Sequence, residues 1–381
     1  MARVLILGGG FGGVSAAHHL RRLAPDHEVV LIDAGTRFMM GFRKTDELVG
    51  RETMAAGSRP LAALEGGNVT VRRGHITRVD PASRAAEVGG ERLEGEAMVV
   101  ALGAETVPGA VPGLAENGLN AYDPAVVPRA AEALAAMAGG RLVIGIFGAP
   151  YTCPPAPYEL ALLAKEAAEA RGVALDVTVF TPQPMSLPVL GPAGCQVVEG
   201  RLARRGISFR PNTRAERVDP GEVVVEGGGG IPFDLLLAIP PHRVPPLLVE
   251  AGLAEEGGWV EVEPSTLETR FEGVFAVGDC VGIALSTGMP MPKAGVLAAE
   301  EGRVAAERIA ARLAGNEPEA TFDGRGECYL EVGGGEAMVV RGRFLAEPGP
   351  QVELVPASAA NLEEKRRSER DRLDEWFGPA A

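Results

Sequence analysis

Val4-Leu-Ile-Leu7, Gly8-Gly-Gly-Phe-Gly-Gly13, Val14-Ser-Ala-Ala-His-His-Leu20 and Glu28-Val-Val-Leu-Ile-Asp33 form the stretch whose reading decides the fold. Its order predicts a buried strand, a glycine turn, a helix, a second buried strand and an acid. Gly8, Gly10 and Gly13 fit G-x-G-x-x-G: the first permits a tight turn, the second lets backbone approach a pyrophosphate, and the third lets helix pack on strand. Phe11 lies inside the same turn. The helix N-terminus offers unpaired N–H groups and a partial positive charge to phosphates. Asp33 ends the second strand about twenty residues on, where a carboxylate can accept from ribose hydroxyls. A dinucleotide site is expected, with NAD, NADP and FAD all open at this point.

At 381 residues, two or three domains are expected. A hydrophobic content of 46% with 23% charged residues is that of a globular protein, and the net charge of −14 argues against nucleic acid and against an anionic membrane surface. No apolar run is long enough for a transmembrane helix. The glycine turn begins at residue 8, which leaves no room for a signal peptide, so a cytoplasmic protein is expected. Four cysteines (Cys153, Cys195, Cys280, Cys328) are too few for a disulfide framework.

Beyond Asp33, Phe38 to Lys44 reads as an apolar loop with two basic residues. Short alternating strands between Val69 and Glu96 lead into Ala97-Met-Val-Val-Ala-Leu-Gly103, a buried parallel strand returning to the first sheet and stopped by glycine. Val107 to Gly113 reads as a crossing linker. A second strand–turn–helix–strand unit follows: strand 141–148, a proline-rich turn, a helix from about Tyr158 to Arg171, and strand 175–180. Helix 195–205, strands near Phe209 and Val223, a glycine hairpin at 227–230 and a buried strand 234–240 complete it. Phe275-Ala-Val-Gly278-Asp279 then places a carboxylate at a strand's C-terminal edge, where ligands bind in open α/β sheets, a reading preferred over a plain helix N-cap for Asp279. A helix over 296–313 precedes a tail with strands near 328–330 and 337–344 and a charged helix ending at Trp376-Phe377. Beyond its first residue, Leu362, only Leu373, Trp376 and Phe377 are apolar in that helix, too few for a firm interfacial anchor.

Three markers, Gly8–Gly13 with Asp33, Val100-Ala-Leu-Gly103-Ala104 and Phe275–Asp279, together resemble the two-dinucleotide-domain flavoprotein superfamily of pyridine nucleotide-disulfide oxidoreductases. The resemblance implies an α/β fold of two Rossmann-like domains plus a small α+β C-terminal domain. Residues 1–112 and 265–315 would bind FAD, 113–264 would form the second Rossmann-like domain, and 316–381 the C-terminal domain. It also implies that Gly8, Gly10, Phe11, Gly13, Asp33, Gly103, Gly278 and Asp279 hold the cofactor, Asp279 through the ribityl chain. The second unit departs from the NAD-binding pattern. Its turn, Ala149-Pro-Tyr-Thr-Cys-Pro-Pro-Ala-Pro157, has prolines with no N–H for a phosphate, and strand 175–180 ends without an acid, so its NAD site reads as degenerate.

Cys153-Pro-Pro-Ala-Pro-Tyr-Glu159 resembles the Cys-Pro-Pro-Gly-Pro-Tyr-Glu segment of sulfide:quinone oxidoreductases and of the flavoprotein subunit of flavocytochrome c sulfide dehydrogenase. Cys328-Tyr329 is similar to that group's downstream Cys-Tyr strand, Met291-Pro-Lys293-Ala-Gly295 to its Pro-Lys-x-Gly loop, and Lys365 to Gly378 to its C-terminal ending. The resemblance implies a redox pair in which Cys328 is the flavin-side sulfur, Cys153 the distal one and Glu159 the base. In such a pair a sulfur nucleophile attacks the disulfide, leaves a persulfide on one cysteine and releases a thiolate against the flavin. Glu159 reads equally well as a first-turn acid of its helix, and Lys293 either balances charge at the flavin or is an ordinary loop lysine. Cys153, in a fixed turn before a helix, is expected to have a lowered thiol pKa. Cys195 and Cys280 read as packing residues, and the histidines show no ligand spacing, so no metal is expected.

The loop 38–44 offers Met39 and Met40 but no thiol, so FAD should be non-covalent. The expected substrate is sulfide or a small sulfur compound, and the expected acceptor a quinone or, failing that, a soluble carrier. Membrane contact should be at most peripheral, at the inner membrane face, and a homodimer is compatible with the sequence. A type II NADH:quinone oxidoreductase and a non-enzymatic redox-sensing flavoprotein remain open alternatives.

Overall fold

The structure is a computed structural model and describes residues 1–379. Val4, Leu5, Ile6 and Leu7 carry no polar side chain and are wholly buried, as a strand covered on both faces requires. Strand Arg3–Leu7 pairs in parallel with Glu28–Asp33 and with Ala97–Val100, setting Val4 opposite Val29 and Ile6 opposite Val99. Val274–Ala276 and Val69–Arg73 add the outer strands of a five-stranded parallel sheet. Parallel neighbours need crossovers, and helix Phe11–Leu23 supplies the first. It packs on helix Gly295–Leu313 at very short range: a Cβ on Gly302 would lie 2.1 Å from the Gly12 carbonyl oxygen. Ser15 Oγ donates to the Ala299 carbonyl at 2.6 Å across the same contact.

A second five-stranded parallel sheet runs Leu119–Asn120, Leu235–Ile239, Gly140–Ile146, Leu175–Phe180, Ser208–Arg210. Helices Val127–Ala136, Ala156–Ala170 and Gly191–Arg204 pack with it around a separate hydrophobic core. The glycine run at 227–230 joins antiparallel strands Glu222–Val225 and Gly230–Pro232. A three-stranded antiparallel sheet, Arg325–Gly333, Glu336–Arg343 and Gln351–Ser358, closes the body. Leu330, Val332 and Met338 join the second core while Phe344 joins the first, so this sheet bridges both cores. Helix Ala359–Phe377 follows, its start capped by the Ser358 hydroxyl, which accepts from Asn361 N–H.

Three features differ from the sequence reading. Phe38 to Lys44 is not all loop: Arg37–Met39 pairs with Ser58–Pro60, and helix Arg43–Leu48 begins inside it. That helix is too short and polar to show an apolar period. Gln351–Ser358 is an unexpected strand, half-exposed along its length and interrupted by Pro356. In the tail helix Leu373 and Trp376 face inward, with the Trp376 ring edge-on to Phe38 at 5.5 Å and to Phe11 at 6.1 Å. They are core residues rather than an exposed anchor. No helix among the described residues is long and apolar enough to cross a membrane.

Candidate active site

Gly8 adopts φ +106°, and a Cβ there would stand 2.3 Å from the Ala101 carbonyl oxygen; a Cβ on Gly13 would stand 1.9 Å from that of Gly8. Both positions therefore exclude side chains. Gly10 is different: nothing lies within 4 Å of its absent Cβ. Gly10 is also the N-cap of helix Phe11–Leu23, with no capping side chain and no acid in the first turn. The first amides of that helix have no intrahelical partner and no capping side chain, the arrangement that receives a phosphate. Asp33 accepts from Gly9 N–H and Gly35 N–H, each at 2.6 Å, so it braces the turn as well as ending the strand. Gly103, at φ +67°, is equally unobstructed.

From Phe11 and Asp279 a cavity of about 320 Å³ runs to both Cys153 and Cys328. Gly278 turns at φ +79° and donates its N–H to Glu301 Oε2 at 2.5 Å, which orients Asp279 toward this space. Burial raises the Asp279 pKa, against the opposing charges of Lys293 and Lys44. Lys293 lines the cavity, but its ammonium is engaged below it, donating to the carbonyls of Asp279 (2.9 Å) and Val281 (2.7 Å) and lying 3.5 Å from the Trp259 ring centroid. Burial pulls its pKa down to about 8 despite Asp279.

Cys153 sits at φ +50°, a left-handed conformation rare for a side-chain-bearing residue. Its N–H donates to the Lys293 carbonyl at 2.7 Å, and its carbonyl accepts from Tyr122 Oη at 3.1 Å and Ala156 N–H at 3.0 Å. The proline turn is thereby stitched to the Lys293 loop. The thiol opens onto the cavity yet is walled by protein, and burial, then Glu159, push its pKa up to about 11 against Lys44 and Lys365. The expected lowering does not hold. Helix Ala156–Ala170 helps the sulfur little: Pro154, Pro155 and Pro157 have no N–H, and the Ala156 N–H, which does lower the thiol pKa, also serves the Cys153 carbonyl and is outweighed by burial and Glu159. Cys328, on the strand opposite Val340, is pushed up to about 12 by burial and then by Cys153. Both thiols are free. Cys195 and Cys280 are buried elsewhere, donating to the Leu187 and Val277 carbonyls.

Glu159 reaches the cavity, but both its oxygens are engaged: Oε1 accepts from Lys365 Nζ at 3.0 Å, and Oε2 from Glu331 N–H at 3.1 Å. Lys365 also donates to Glu331 Oε1 at 2.8 Å, and Arg51 holds Glu331 Oε2 at 2.7 Å. Burial raises the Glu159 pKa. For Glu331 burial works the same way but is outweighed by Lys365 and Arg51, which hold it below the usual range.

The family model for pyridine nucleotide-disulphide oxidoreductases matches residues 2–302. The chain belongs to this family. The mitochondrial sulfide:quinone oxidoreductase of Mus musculus is 21% identical over 361 residues, covering 91% of this chain and 79% of the relative. The sulfide-quinone reductase of Aquifex aeolicus is 26% identical over 315 residues, 76% of this chain and 70% of the relative. The solved sulfide:quinone oxidoreductase of Aquifex aeolicus superposes with TM-score 0.89 at 22% identity over 100% of this chain and 92% of that one.

In this pyridine nucleotide-disulphide oxidoreductase, sequence reasoning missed Lys44, Tyr122, Glu331 and Lys365 as parts of the site. One signal was available. Of 37 basic residues only four are lysine (Lys44, Lys165, Lys293, Lys365), and three of those line the cavity. A chain that otherwise uses arginine places most of its few lysines at this cavity, beside Arg372, and lysine is the cation that is compact and changes protonation when buried.

Proposed function

We propose that this oxidoreductase oxidises sulfide, or a persulfide, through Cys153 and Cys328, with FAD held non-covalently and a quinone as acceptor. The observation that carries the reading is that two cysteines from distant segments open onto one cavity whose other end is Phe11 and Asp279. The residues fit a flavin dinucleotide: the open cradle at Gly10 suits a pyrophosphate, Asp33 braces that turn, Gly103 is unobstructed, and Asp279, set by the Gly278 turn, lines the cavity. Residues 1–112 with 265–315 would hold it, 113–264 would keep the fold of a dinucleotide domain without the site, and 316–381 would bring Cys328 over the cavity. The relatives' names supply sulfide and quinone.

In the oxidised pair, hydrosulfide attacks the Cys153 sulfur. A bond forms between the two sulfurs, the Cys153–Cys328 bond breaks, and its electron pair leaves on Cys328 as thiolate. Bound FAD would supply the two-electron sink and return those electrons to the acceptor. Lys365 keeps Glu159 from acting as a free base, so Glu159 serves first to fix the charge balance beside Cys153. Met39, Met40, Phe42 and Leu48 give the cavity an apolar wall that suits a quinone ring.

Anaerobic addition of sulfide should bleach the flavin of the purified protein, and Cys153→Ser should abolish the bleaching. Full bleaching in that variant would sink the mechanism; rapid bleaching by NADH alone would replace it with an NADH:quinone oxidoreductase.

A further inference from the structure

Lys44 is the one cavity lysine that the site described so far does not use. Its ammonium stands 5.6 Å from the centroid of the Tyr122 ring, and the Tyr122 hydroxyl donates to the carbonyl of Cys153. Three neighbouring cations are engaged: Arg43 pairs with Asp46 and Glu369, Lys365 with Glu159 and Glu331, and Lys293 with two carbonyls. Lys44 and Arg372 line the same cavity without an ion pair or hydrogen bond among the described residues, but Arg372 lies over the Trp376 ring and acts on Cys328, whereas Lys44 acts on Cys153. A cation enclosed by protein without a counter-ion is costly, and such a charge is kept where an anion comes to it.

We infer that Lys44 forms the anion subsite of the cavity, holding the incoming hydrosulfide beside the Cys153 sulfur and, in the reduced protein, the Cys153 thiolate. This rests on the sulfide reading above. The subsite takes a small sulfur monoanion. The ring of Tyr122 flanks the ammonium, and the compact lysine leaves room that a guanidinium would fill.

In the attack, the negative charge enters on hydrosulfide next to Lys44 and leaves on Cys328, so Lys44 acts mainly on the bound ground state. The groups facing this pair are few. Glu159 comes from helix Ala156–Ala170, Lys365 from the tail helix, Cys328 from strand Arg325–Gly333, and Asp279 and Asp123 act on the ammonium more distantly, without pairing with it. Glu159 disfavours the Cys153 thiolate; Lys44, followed by Lys365, favours it. Lys365 is divided between two carboxylates and Arg372 acts on Cys328, which leaves Lys44 as the cation free to answer charge on the Cys153 sulfur.

The test compares Lys44→Met and Lys44→Arg with the wild-type holoprotein. In the first measurement the protein is reduced, and alkylation of Cys153 by iodoacetamide is followed against pH with site-resolved mass spectrometry. Lys44→Met should move the midpoint upward so that alkylation below it slows on the order of tenfold, one pKa unit being tenfold in thiolate. Lys44→Arg should restore the midpoint. In the second, the sulfide concentration giving half-maximal flavin bleaching should rise in Lys44→Met more than the limiting rate falls. An unchanged Cys153 midpoint in Lys44→Met, in protein that retains its flavin, overturns the inference. If sulfide fails to bleach even the wild type, the sulfide reading falls, while the alkylation profile still decides whether Lys44 serves Cys153.

Discussion

Replacing Lys365 by methionine removes the cation shared by two buried carboxylates. Lys365, Glu159 and Glu331 are each at most 7% exposed in their side chains, and the ammonium bridges them at 3.0 and 2.8 Å. Methionine keeps most of the volume, so the loss is electrostatic rather than a cavity. Arg51 still holds Glu331 at 2.7 Å, but Glu159 keeps only the Glu331 N–H. Breaking a buried pair by removing one partner costs about 3–5 kcal/mol, because the remaining charge stays buried and unanswered. At ~2–4 °C per kcal/mol this is a fall of roughly 6–20 °C in the melting temperature of the holoprotein. The pH dependence has a definite sign. Glu159 is already raised by burial in the wild type, and losing Lys365 should raise it further above its unfolded value, so its ionisation should destabilise the variant more at neutral pH and that extra penalty should be relieved as pH falls. In the wild type Glu331 is held low, and its contribution is lost as pH falls through that lowered value. Both effects narrow the gap between the two proteins on acidification. Adding Glu159→Gln to Lys365→Met should recover on the order of 1–3 kcal/mol, the coupling expected of groups in direct contact. Melting followed by circular dichroism at two pH values checks all three statements. A Lys365→Met protein within about 1 kcal/mol of wild type, with a gap indifferent to pH, would refute the buried triad.

Two further outcomes follow from the cofactor turn. Gly10→Ala should melt as the wild type does in its cofactor-free form yet retain little flavin, because its Cβ occupies only the open side of the cradle. Gly13→Ala, whose Cβ would meet the Gly8 carbonyl at 1.9 Å, should lose both stability and flavin; the ratio of flavin to protein absorbance and the melting temperature separate the two cases. Glu301, almost wholly buried under the Gly278 N–H, has its pKa raised to about 7 by burial. Its contribution is therefore present below the unfolded carboxylate value and lost as pH rises through about 7. Stability should drop by roughly 3 kcal/mol over that window, and Glu301→Gln should flatten the drop; an equal slope in both proteins would count against it.

The first sheet was legible because its strands are covered on both faces. A run such as Val4–Leu7 has no polar residue to confuse the period, and the excluded Cβ positions at Gly8 and Gly13 explain why glycine is written there. Strand Gln351–Ser358 was not legible, because one side faces solvent and its hydrophobic content is set by the neighbour it pairs with. The cysteines are a different case. Nothing local to Cys153 or Cys328 says that strand Arg325–Gly333 will return over the proline turn, so their partnership came from resemblance alone. The direction of the Cys153 pKa shift could not be read from sequence, because a helix start beside a thiol lowers its pKa only through amides that reach it, and here the prolines leave the Ala156 N–H, which burial and Glu159 outweigh. Yet the choice of cation was written in the chain. Arginine serves at almost every surface ion pair, whereas Lys44, Lys293 and Lys365 line the one cavity that holds both cysteines. An always-charged planar guanidinium cannot follow a charge that appears on sulfur and then leaves. A compact ammonium whose proton affinity shifts with its surroundings can, so the residue type itself marks the site that the fold later assembles.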